Sequence, residues 1–396
     1  MSETNGLPKK PCILIICNYY LPGFKTGGGL RTLVNIIENF KEKYNFYVIA
    51  RDNDGDGIPY KNINIDEWNS VDGAQVFYLN KENVSFSKLR ELILNVKPDA
   101  IYLNSVFSTL TVFLLVLRRL KLIPAIKIVL APEGELSEGA LQFKSYKKIP
   151  FVKLVKGLGL YRNLIWKTTA ELEKQETERF KGSGGHIFIA PNLPSRELLK
   201  GYRQDLKPKK MSGEVKMIFL SRFMRKKNFK WLTDNLKNFR DNLTIDIYGP
   251  LEDEPYWKET QVSIKELPEN IKVEYKGLLE YENVTAKLFE YHFFILPTLG
   301  ENFGHVFIEA LAAGCPLLIS DRTPWLELEK KNIGWDLPLE EPALWFDKLS
   351  HCISLDEVSY TALSINSRKF AERWLSDPKV SEDTLRVLEF SLTDGQ

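Results

Sequence analysis

Short apolar runs alternate with longer amphipathic stretches along this chain of 396 residues. Between the runs, apolar residues recur at helical spacing, as in LRTLVNIIENF, where Leu30, Leu33, Val34 and Ile37 share one face. The runs are, in order, CILIIC, FYVIA, AQVFYL, AIYL, IKIVLA, HIFIA, VKMIFL, LTIDIY, IKVEY, HFFILP and PLLIS. This alternation predicts parallel sheets whose two faces are covered by helices, so the expected fold class is α/β.

The alternation is interrupted once, after HIFIA, by a polar segment with glycine and proline, residues 201–214. A chain of this length exceeds one ordinary hydrophobic core. The segment is therefore interpreted as a linker between two doubly wound, Rossmann-like domains, 1–200 and 215–375. A C-terminal helix, about 376–396, is expected to pack back on the first domain. Because open α/β sheets bind ligands at the carboxyl ends of their strands, the two domains are expected to face a central cleft.

Composition excludes several classes of protein. The start MSETNG lacks the basic and then apolar pattern of an export signal. The longest apolar stretch, LTVFLLVL at 110–117, is far shorter than the roughly 20 residues that a membrane span needs. Four cysteines without a CxxC pair indicate buried thiols in a reducing compartment, so a cytoplasmic location is expected.

The charge distribution is uneven although the net charge is only +2. The first 210 residues carry an excess of Lys and Arg, and the remainder carries an excess of Asp and Glu. An anionic partner for the first half, either a membrane surface or a phosphorylated acceptor, is one interpretation. Solvated surface lysines are the alternative.

An acidic loop, RDNDGDG at residues 51–57, imitates the start of a calcium-binding loop. The twelfth position of such a loop requires a bidentate Glu, but Ile63 stands there, and Pro59 falls inside the loop. The segment is interpreted as a polar turn after the strand FYVIA.

Candidate chemistry concentrates in ENFGHVFIEALAAGCPLLISD, residues 301–321, where a helix is predicted from Val306 to Ala313. Its start follows a Glu-Asn-Phe-Gly turn, and the free backbone N–H groups of a helix N-terminus bind phosphate. Glu301 at the loop and Glu309 about two turns further on are expected to face different parts of one extended ligand. Carboxylates suit sugar hydroxyls because each charged hydrogen bond contributes about 1.5–3 kcal/mol. The alternative is that Glu309 is an ordinary residue of the helix surface.

Two further elements offer groups for a diphosphate. Arg222 and Lys227 follow the strand VKMIFL, and a guanidinium with an ammonium at a strand end can hold such a ligand. A run of three glycines, residues 27–29, follows the first predicted strand and allows close approach of the backbone to a ligand. The run is not GxGxxG, so a dinucleotide is poorly supported.

Together these motifs resemble retaining glycosyltransferases of family 4, which have the GT-B fold. The resemblance rests on E-x7-E with Pro297 before it and AxAxGxP after it, on the Arg222 and Lys227 pair, and on the glycine run, and it covers almost the whole chain. The stretches PEGELSEGALQFKSYKK (132–148) and DRTPWLELEKKNIGWDLPL (321–339) are similar to the subgroup of bacterial surface-polysaccharide biosynthesis.

The resemblance implies a metal-independent hexosyltransferase without a cofactor. It would transfer a hexose or N-acetylhexosamine, with retention, from a nucleotide-diphosphate sugar, with UDP preferred to GDP. The acceptor would be a growing, lipid-pyrophosphate-linked glycan of O-antigen, capsule or lipopolysaccharide, and nucleic acid would not be a partner. A sugar-nucleotide epimerase and a catalytically silent nucleotide-sugar-binding scaffold remain as alternatives.

The resemblance also implies roles for residues of the E-x7-E stretch. Glu301 would contact hydroxyls of the donor sugar, and Glu309 would bind the ribose hydroxyls. The backbone amides of Asn302, Phe303 and Gly304 would face the phosphates of the donor.

Further roles fall on residues elsewhere in the chain. Arg222 and Lys227 would act with Glu301 as catalytic residues by stabilising the charge that grows on the leaving diphosphate. Gly28 and Gly29 would approach that diphosphate from the first domain, and Leu278 would contact the base. In such enzymes the leaving phosphate itself accepts the acceptor's proton, so no dedicated base is expected.

The sequence departs from the family pattern in places. Glu133 occupies a position where relatives commonly have Arg, which removes a positive charge on the expected acceptor side. His305 replaces an often apolar residue, and loop packing is favoured over catalysis. Trp325 and Trp335 are expected to be core or interface aromatics rather than sugar platforms.

Residues 139–170 contain seven Lys and Arg and no acidic residue, interleaved with apolar and aromatic side chains. Such a stretch is typical of a segment that lies on an anionic membrane with its cations at the headgroups. The expected location is therefore cytoplasmic and peripheral on the inner face of the membrane. The alternative is a core-packed helix pair with solvated lysines.

Overall fold

The structure is a computed structural model that describes residues 10–25, 27–137, 140–141, 145–181, 183–200 and 207–393, with backbone only for 145–149 and 196. The chain divides into two compact units, Met1–Leu193 with Pro378–Gln396, and Pro194–Asp377. This division lies ahead of segment 201–214, which sequence analysis interpreted as the linker. Two residues of that segment, Lys207 and Lys210, are buried in the second unit.

The first unit contains an eight-stranded sheet with the order β3-β4-β2-β1-β5-β6-β7-β8. Strand β3 runs antiparallel to β4, and the other neighbouring strands are parallel. The strands are β1 Cys12–Ile16, β2 Asn45–Arg51, β3 Trp68–Val71, β4 Ala74–Leu79, β5 Ala100–Asn104, β6 Lys127–Ala131, β7 Ile165–Thr168 and β8 His186–Ile189.

Helices cover both faces of this sheet. They are α1 Gly28–Phe40, α2 Phe86–Val96, α3 Thr109–Arg119, α4 Ser145–Gly157 and α5 Glu171–Phe180, and the C-terminal helix Pro378–Leu392 also belongs to this unit. Alternate residues of β1 enter different cores: Ile13 packs with Leu33 of α1 and Val387 of the C-terminal helix, whereas Leu14 packs with Leu114 of α3. Burial on both faces explains why the strands are continuous apolar runs rather than alternating ones.

The second unit contains a parallel six-stranded sheet with the order β11-β10-β9-β12-β13-β14. The strands are β9 Val215–Leu220, β10 Leu243–Tyr248, β11 Ile271–Gly277, β12 Phe293–Leu296, β13 Leu317–Ser320 and β14 Gly334–Leu337. The chain leaves β9 toward one edge of the sheet and returns through β12 to the other edge. The carboxyl ends of β9 and β12 therefore form the topological switch point, where open α/β sheets bind ligands.

The helices of the second unit pack on this sheet around one core. They are α6 Phe229–Leu236, α7 Glu254–Lys265, α8 Tyr281–Leu288, α9 His305–Ala312, α10 Pro342–Ser354 and α11 Glu357–Ser376; the C-terminal helix of the first unit is then α12. Trp325 and Trp335, expected to be core or interface aromatics, are both buried. The Trp325 indole Nε1 donates to the carbonyl of Phe303, 2.6 Å away.

The two buried lysines of segment 201–214 bond to backbone carbonyls. Lys207 Nζ donates to the carbonyl oxygens of Leu288 and Tyr291, at 3.3 and 2.9 Å, at the end of α8. Burial lowers the pKa of Lys207 to about 8. Lys210 Nζ donates to carbonyls at the end of α10, among them that of Ile353 at 2.9 Å. Lys207 and Lys210 are therefore part of the packing of the second unit.

Most of the cysteines are buried, and the described helices bear on the expectation that no segment spans a membrane. Cys17, Cys315 and Cys352 are buried free thiols, and Cys12 is partly exposed. Among the helices that the structure describes, none has the length and apolar character needed to cross a membrane.

Candidate functional site

An ion pair lies at the switch point of the second sheet. Lys227 ends a short 3-10 turn, Arg225–Lys227, that follows β9, and Glu301 lies in the loop that follows β12. Lys227 Nζ is 2.5 Å from Glu301 Oε1, and each side chain is only 11% exposed. Two residues singled out in separate motifs, 74 positions apart, are thus brought into direct contact.

Hydrogen bonds fix the two loops around this pair. The backbone N–H of Leu299 donates to the carbonyl of Lys226 at 2.8 Å, and the Thr298 hydroxyl oxygen lies 3.1 Å from the same carbonyl oxygen. The backbone N–H of Glu301 donates to the carbonyl of Arg322, 3.0 Å away, just past β13. Three adjacent strand ends therefore set the position of the Glu301 carboxylate.

The Glu301 carboxyl is held in its charged form. Burial alone raises its pKa, but the charges of Lys227 and Lys226, with hydrogen bonds from Lys227 and Thr298, outweigh burial and lower the pKa below its ordinary value. Thr298 is fully buried, and its hydroxyl lies 3.1 Å from Glu301 Oε1. Sequence analysis did not name Thr298, although a hydroxyl residue directly after a buried strand is a usable signal.

The start of α9 presents backbone N–H groups beside Glu301. Gly304 has the left-handed φ of 77°, and a Cβ there would lie 2.5 Å from the Phe307 ring. Within the described residues, the amides of Phe303 and Gly304 have no hydrogen-bond acceptor. The ring of Phe303 packs against His305, with centroids 5.0 Å apart. Phe303 therefore offers only its backbone, and the buried His305 occupies a packing position.

Glu309 lies inside α9 and is only 7% exposed. The alternative interpretation of Glu309 as a residue of the helix surface is therefore wrong. The helix begins at His305, one residue before the predicted start, and ends at Ala312. A buried carboxylate needs a partner, so Glu309 differs from an ordinary residue of an exposed helix face.

Arg222 and Leu278 lie near the carboxyl ends of β9 and β11, apart from the buried pair. Arg222 donates to Glu252 Oε2 at 2.9 Å, and its side chain is 37% exposed. Leu278 is 49% exposed directly after Gly277. The neighbouring Arg225 is held by both carboxylate oxygens of Glu259. The proposed contacts of Arg222 and Leu278 with a donor remain predictions.

In the first unit the glycine run begins α1. Gly27 precedes the helix with a φ of 73°, and Gly28 is its first residue. The carbonyl of Gly29 accepts a hydrogen bond from Asn104 Nδ2 at 2.9 Å. A Cβ at Gly29 would meet only that amide nitrogen, at 3.5 Å, so the local structure has room for an alanine.

Glu133 lies just past β6 with a left-handed φ of 52° and forms part of a buried polar chain. Asn192 Nδ2 donates to Glu133 Oε2 at 2.9 Å, and Lys167 Nζ donates to Asn192 Oδ1 at 2.6 Å. Glu133 Oε1 is buried and has no hydrogen-bond partner among the described residues. The Glu133 carboxyl, which stands where relatives commonly have Arg, is thus linked through Asn192 to a buried lysine of β7.

The loop around Glu133 is fixed by two other carboxylates. Glu173 accepts the backbone N–H of Gly134 at 2.6 Å and that of Thr169 at 2.7 Å. Glu135 accepts the backbone N–H of Val106 at 2.6 Å. Sequence analysis missed both glutamates because each acts on backbone groups of distant loops.

The basic and apolar segment 139–170 is not one surface element. Residues 138–139 and 142–144, with the side chains of Lys147 and Lys148, lie outside the described part. Trp166 and Lys167 are buried in β7, so the prediction that they face a membrane is wrong. A strand between β6 and β8 requires these side chains to point into the cores of the unit.

Part of that segment does expose apolar side chains next to cations. On α4 and just past it, Leu154 and Leu158 are 60% and 50% exposed, and Lys153 is exposed. Arg119 Nε donates to the Leu158 carbonyl at 3.2 Å, which places the end of α3 beside this surface. Leu120, directly after α3, is 62% exposed.

Metal-binding side chains are not grouped in the described residues. Among them, no three His, Cys, Asp or Glu side chains cluster in a way that could hold a metal ion. Carboxylates of the acidic loop 51–57 contact other parts of the protein, as Asp54 does with Phe24, Lys25 and Tyr60.

Residues 203–359 match the family model "Glycosyl transferases group 1". No curated protein sequence matches the chain.

Solved structures resemble the whole chain at low sequence identity. Sucrose-phosphate synthase from Thermosynechococcus elongatus has a TM-score of 0.69 and 13% identity, over 97% of this chain and 100% of that one. Anabaena HepE in complex with UDP and glucose has a TM-score of 0.66 and 15% identity, over 96% and 99%. The apo form of the lipopolysaccharide outer core galactosyltransferase WaaB has a TM-score of 0.60 and 14% identity, over 96% and 100%.

The Glu133 chain generates a prediction about pH. Burial, with the charges of Glu173 and Glu135, raises the pKa of Glu133 to about 7 from its ordinary 4.5, although Lys167 and Asn192 oppose the rise. The folded protein therefore binds more protons than the unfolded chain between these values, so this carboxyl costs stability as the pH rises from about 4.5 to 7. We expect Glu133→Gln to gain about 1–3 kcal/mol in unfolding free energy relative to wild type across that range.

Denaturant unfolding at pH 5 and pH 8 measures this difference. Glu171→Gln, which changes an exposed glutamate of the neighbouring α5, is the matched control and should parallel the wild type. A stability difference for Glu133→Gln that does not change with pH would contradict the assignment.

Proposed function

We propose that this chain is a retaining, metal-independent hexosyltransferase of family 4, because residues 203–359 match the glycosyl transferases group 1 family model and its two units have the GT-B fold. It transfers a hexose or N-acetylhexosamine from a nucleotide-diphosphate sugar to a growing, lipid-linked glycan. The product belongs to surface polysaccharide, as O-antigen, capsule or lipopolysaccharide.

The observation that carries this proposal is the buried ion pair of Lys227 and Glu301 next to the amides of Phe303 and Gly304. An ammonium and helix N-terminal N–H groups are the ligands that a diphosphate requires. A carboxylate kept ionised beside them accepts hydrogen bonds from sugar hydroxyls. Within a few residues, the site therefore has groups that can bind the diphosphate and groups that can bind the sugar of a nucleotide-sugar donor.

Rupture of the bond between the anomeric carbon and the diphosphate transfers negative charge to the leaving group. Lys227, with Arg222 once it exchanges Glu252 for phosphate, stabilises that charge most strongly in the transition state. Glu301 orients the sugar, and Glu309 binds the ribose. The leaving phosphate accepts the proton of the acceptor hydroxyl on the same face, so the configuration is retained and no protein base is required.

Donor identity is supported by the structural relatives. HepE is known in complex with UDP and with UDP-glucose, which favours a UDP-sugar over a GDP-sugar here.

Leu278 would contact the base, and Asn302 would complete the phosphate contacts. Gly28 and Gly29 would approach the diphosphate from the first unit. Two alternatives are less well supported. A sugar-nucleotide epimerase depends on acid and base residues in its active site, for which the chain has no paired histidine motif. A catalytically silent scaffold would not require a glutamate that is kept ionised, as Glu301 is.

The acceptor side is proposed to meet an anionic membrane on the cytoplasmic face. We define the basic–apolar surface as Leu120, Leu154, Leu158, Arg119 and Lys153, all exposed on the first unit. Exposed leucines insert at the headgroup boundary, and each neighbouring cation contributes about 1 kcal/mol near anionic lipid. A lipid-linked acceptor would then be delivered from the surface that the protein binds.

The donor site generates the main prediction. Glu309→Gln, which keeps the shape of the buried side chain, should weaken nucleotide-sugar affinity about 5- to 150-fold, the cost of about 1–3 kcal/mol in charged hydrogen bonds. Arg222→Ala should lower turnover more than affinity, because the charge that it meets grows during bond cleavage. Calorimetry and nucleotide release from a panel of UDP- and GDP-sugars measure the two quantities.

Arg225→Ala is the matched control for Arg222→Ala. It removes an arginine of the same loop whose guanidinium is held by both carboxylate oxygens of Glu259, whereas Arg222 contacts only one oxygen of Glu252, so affinity and turnover should stay at wild-type values. Absence of nucleotide release from every sugar in the panel, or unchanged affinity in folded Glu309→Gln, would count against the proposed function.

Membrane association is tested separately. The wild type should co-sediment with vesicles of phosphatidylglycerol and phosphatidylcholine but not with phosphatidylcholine alone, and high salt should release it. Leu154→Gln combined with Lys153→Glu should reduce the bound fraction about tenfold. Val358→Gln, which changes an exposed residue of the second unit, should bind as the wild type does. Equal binding to neutral and anionic vesicles would reject this surface.

A further inference from the structure

The acidic loop 51–57 binds the segment that follows β1. Asp54 Oδ2 accepts the backbone N–H groups of Phe24 and Lys25, at 3.1 and 3.3 Å. Its other oxygen, Oδ1, accepts the hydroxyl of Tyr60 at 2.9 Å. Two consecutive amides and a phenol therefore converge on one carboxylate, which joins loops about 30 positions apart in sequence.

The local packing is built around this contact. A Cβ at Gly23 would lie 2.3 Å from Asp54 Oδ1 and 2.4 Å from the Tyr60 hydroxyl, so only glycine allows the carboxylate to approach. Burial, followed by the charge of Asp54, raises the pKa of Tyr60, which keeps its hydroxyl a donor. Lys25 also pairs with Asp56 at 2.7 Å, but both side chains are about a third exposed, so that pair contributes little.

The bound segment leads into the glycine run. Lys25 stands two positions ahead of Gly27, whose φ of 73° precedes the first residue of α1. On the other side of the run, the Gly29 carbonyl is held by Asn104. Asp54 thus anchors the backbone ahead of the glycines, and Asn104 anchors it at the last of them.

We propose that Asp54 is a positioning residue for the donor diphosphate: it holds segment 23–25 in the path that allows the backbone at Gly28 and Gly29 to approach the donor. This inference rests on the proposed function of the glycine run. Asp54 touches no substrate and acts through the two amides that it accepts. An ionised acceptor suits this role because charge-assisted hydrogen bonds are about twice as strong as neutral ones.

Steady-state kinetics with the full chain tests the inference. Asp54→Ala should raise the KM for the nucleotide sugar about tenfold, as expected for the loss of an anchoring group, while the KM for the acceptor stays within twofold. Tyr60→Phe, which leaves the two amide contacts in place, should have a smaller effect in the same direction. Asp56→Ala is the matched control, because it removes a carboxylate of the same loop that accepts Lys25 Nζ and the backbone N–H of Ile58 but neither amide of Phe24 and Lys25. It should leave the donor KM within twofold.

Hydrogen exchange separates positioning from general destabilisation. In Asp54→Ala the amides of Phe24 and Lys25 should exchange faster, while amides of the second unit keep wild-type rates. An unchanged donor KM in Asp54→Ala, or an equal rise for donor and acceptor, would overturn the inference.

Gly29→Ala distinguishes this inference from the proposed function itself. The structure has room for the added methyl group, so a raised donor KM there would reflect crowding of the ligand. If Gly29→Ala raises the donor KM and Asp54→Ala does not, the positioning inference alone fails. If neither variant changes it, the proposed role of the glycine run fails as well. If Asp54→Ala alone raises it, Asp54 does not act through the glycine run, and the inference is overturned.

Discussion

The buried carboxylate of Glu301 needs a cation, and that requirement organises the second unit. A charged group with 11% exposure is tolerated only when it is paired and hydrogen-bonded, and Lys227 and Thr298 supply these contacts. Lys227 reaches Glu301 only because β9 and β12 are neighbours in the sheet, although 74 residues separate the pair in sequence. The same sheet order brings the carbonyl of Arg322 to the Glu301 amide. The strand order that creates the topological switch point therefore also brings the two members of the ion pair together.

The first unit uses carboxylates in another way. Glu135, Glu173 and Asp54 each accept backbone N–H groups from a distant part of the chain. Loops at the carboxyl edge of a sheet lack ladder partners, so such acceptors satisfy their amides and fix their paths. Glu133 differs, because one of its oxygens has no partner in the described residues. Burial, followed by the charges of Glu173 and Glu135, raises the pKa of Glu133.

Much of the fold follows from the sequence, because strands buried on both faces are continuous apolar runs. Three strands were missed for identifiable reasons. Strand β3, WNSV, is a partly exposed edge strand, and β14, GWDL, carries a polar residue in a short run. Strand β7, IWKT, contains Lys167, whose burial depends on a hydrogen bond to Asn192. Because that partner is distant in sequence, the local pattern assigned the strand to a surface segment.

The sequence predicted which residues belong to the candidate site, but it did not predict which of them contact each other. Glu301, Lys227 and the Gly304 turn stand in recognisable motifs. Their pairing required the order of the strands, which the sequence does not specify. Thr298 and Asp54 act through backbone groups, and hydrogen bonds to a backbone carbonyl or amide leave no pattern in the partner's sequence. Segment 201–214 was interpreted as a linker because it is polar, contains Gly and Pro and has no apolar periodicity. Its Lys207 and Lys210 are buried through hydrogen bonds to backbone carbonyls, which such a pattern does not reveal.

The central claim is that the carboxyl ends of β9 and β12 hold the diphosphate of a nucleotide sugar. A crystal structure of the protein with UDP, and with an intact UDP-sugar, tests it most directly. The account predicts phosphate oxygens within hydrogen-bond distance of Lys227 Nζ and of the amides of Phe303 and Gly304, with sugar hydroxyls on Glu301 and ribose hydroxyls on Glu309. Nucleotide bound elsewhere, with the Lys227–Glu301 pair untouched by ligand, would contradict it.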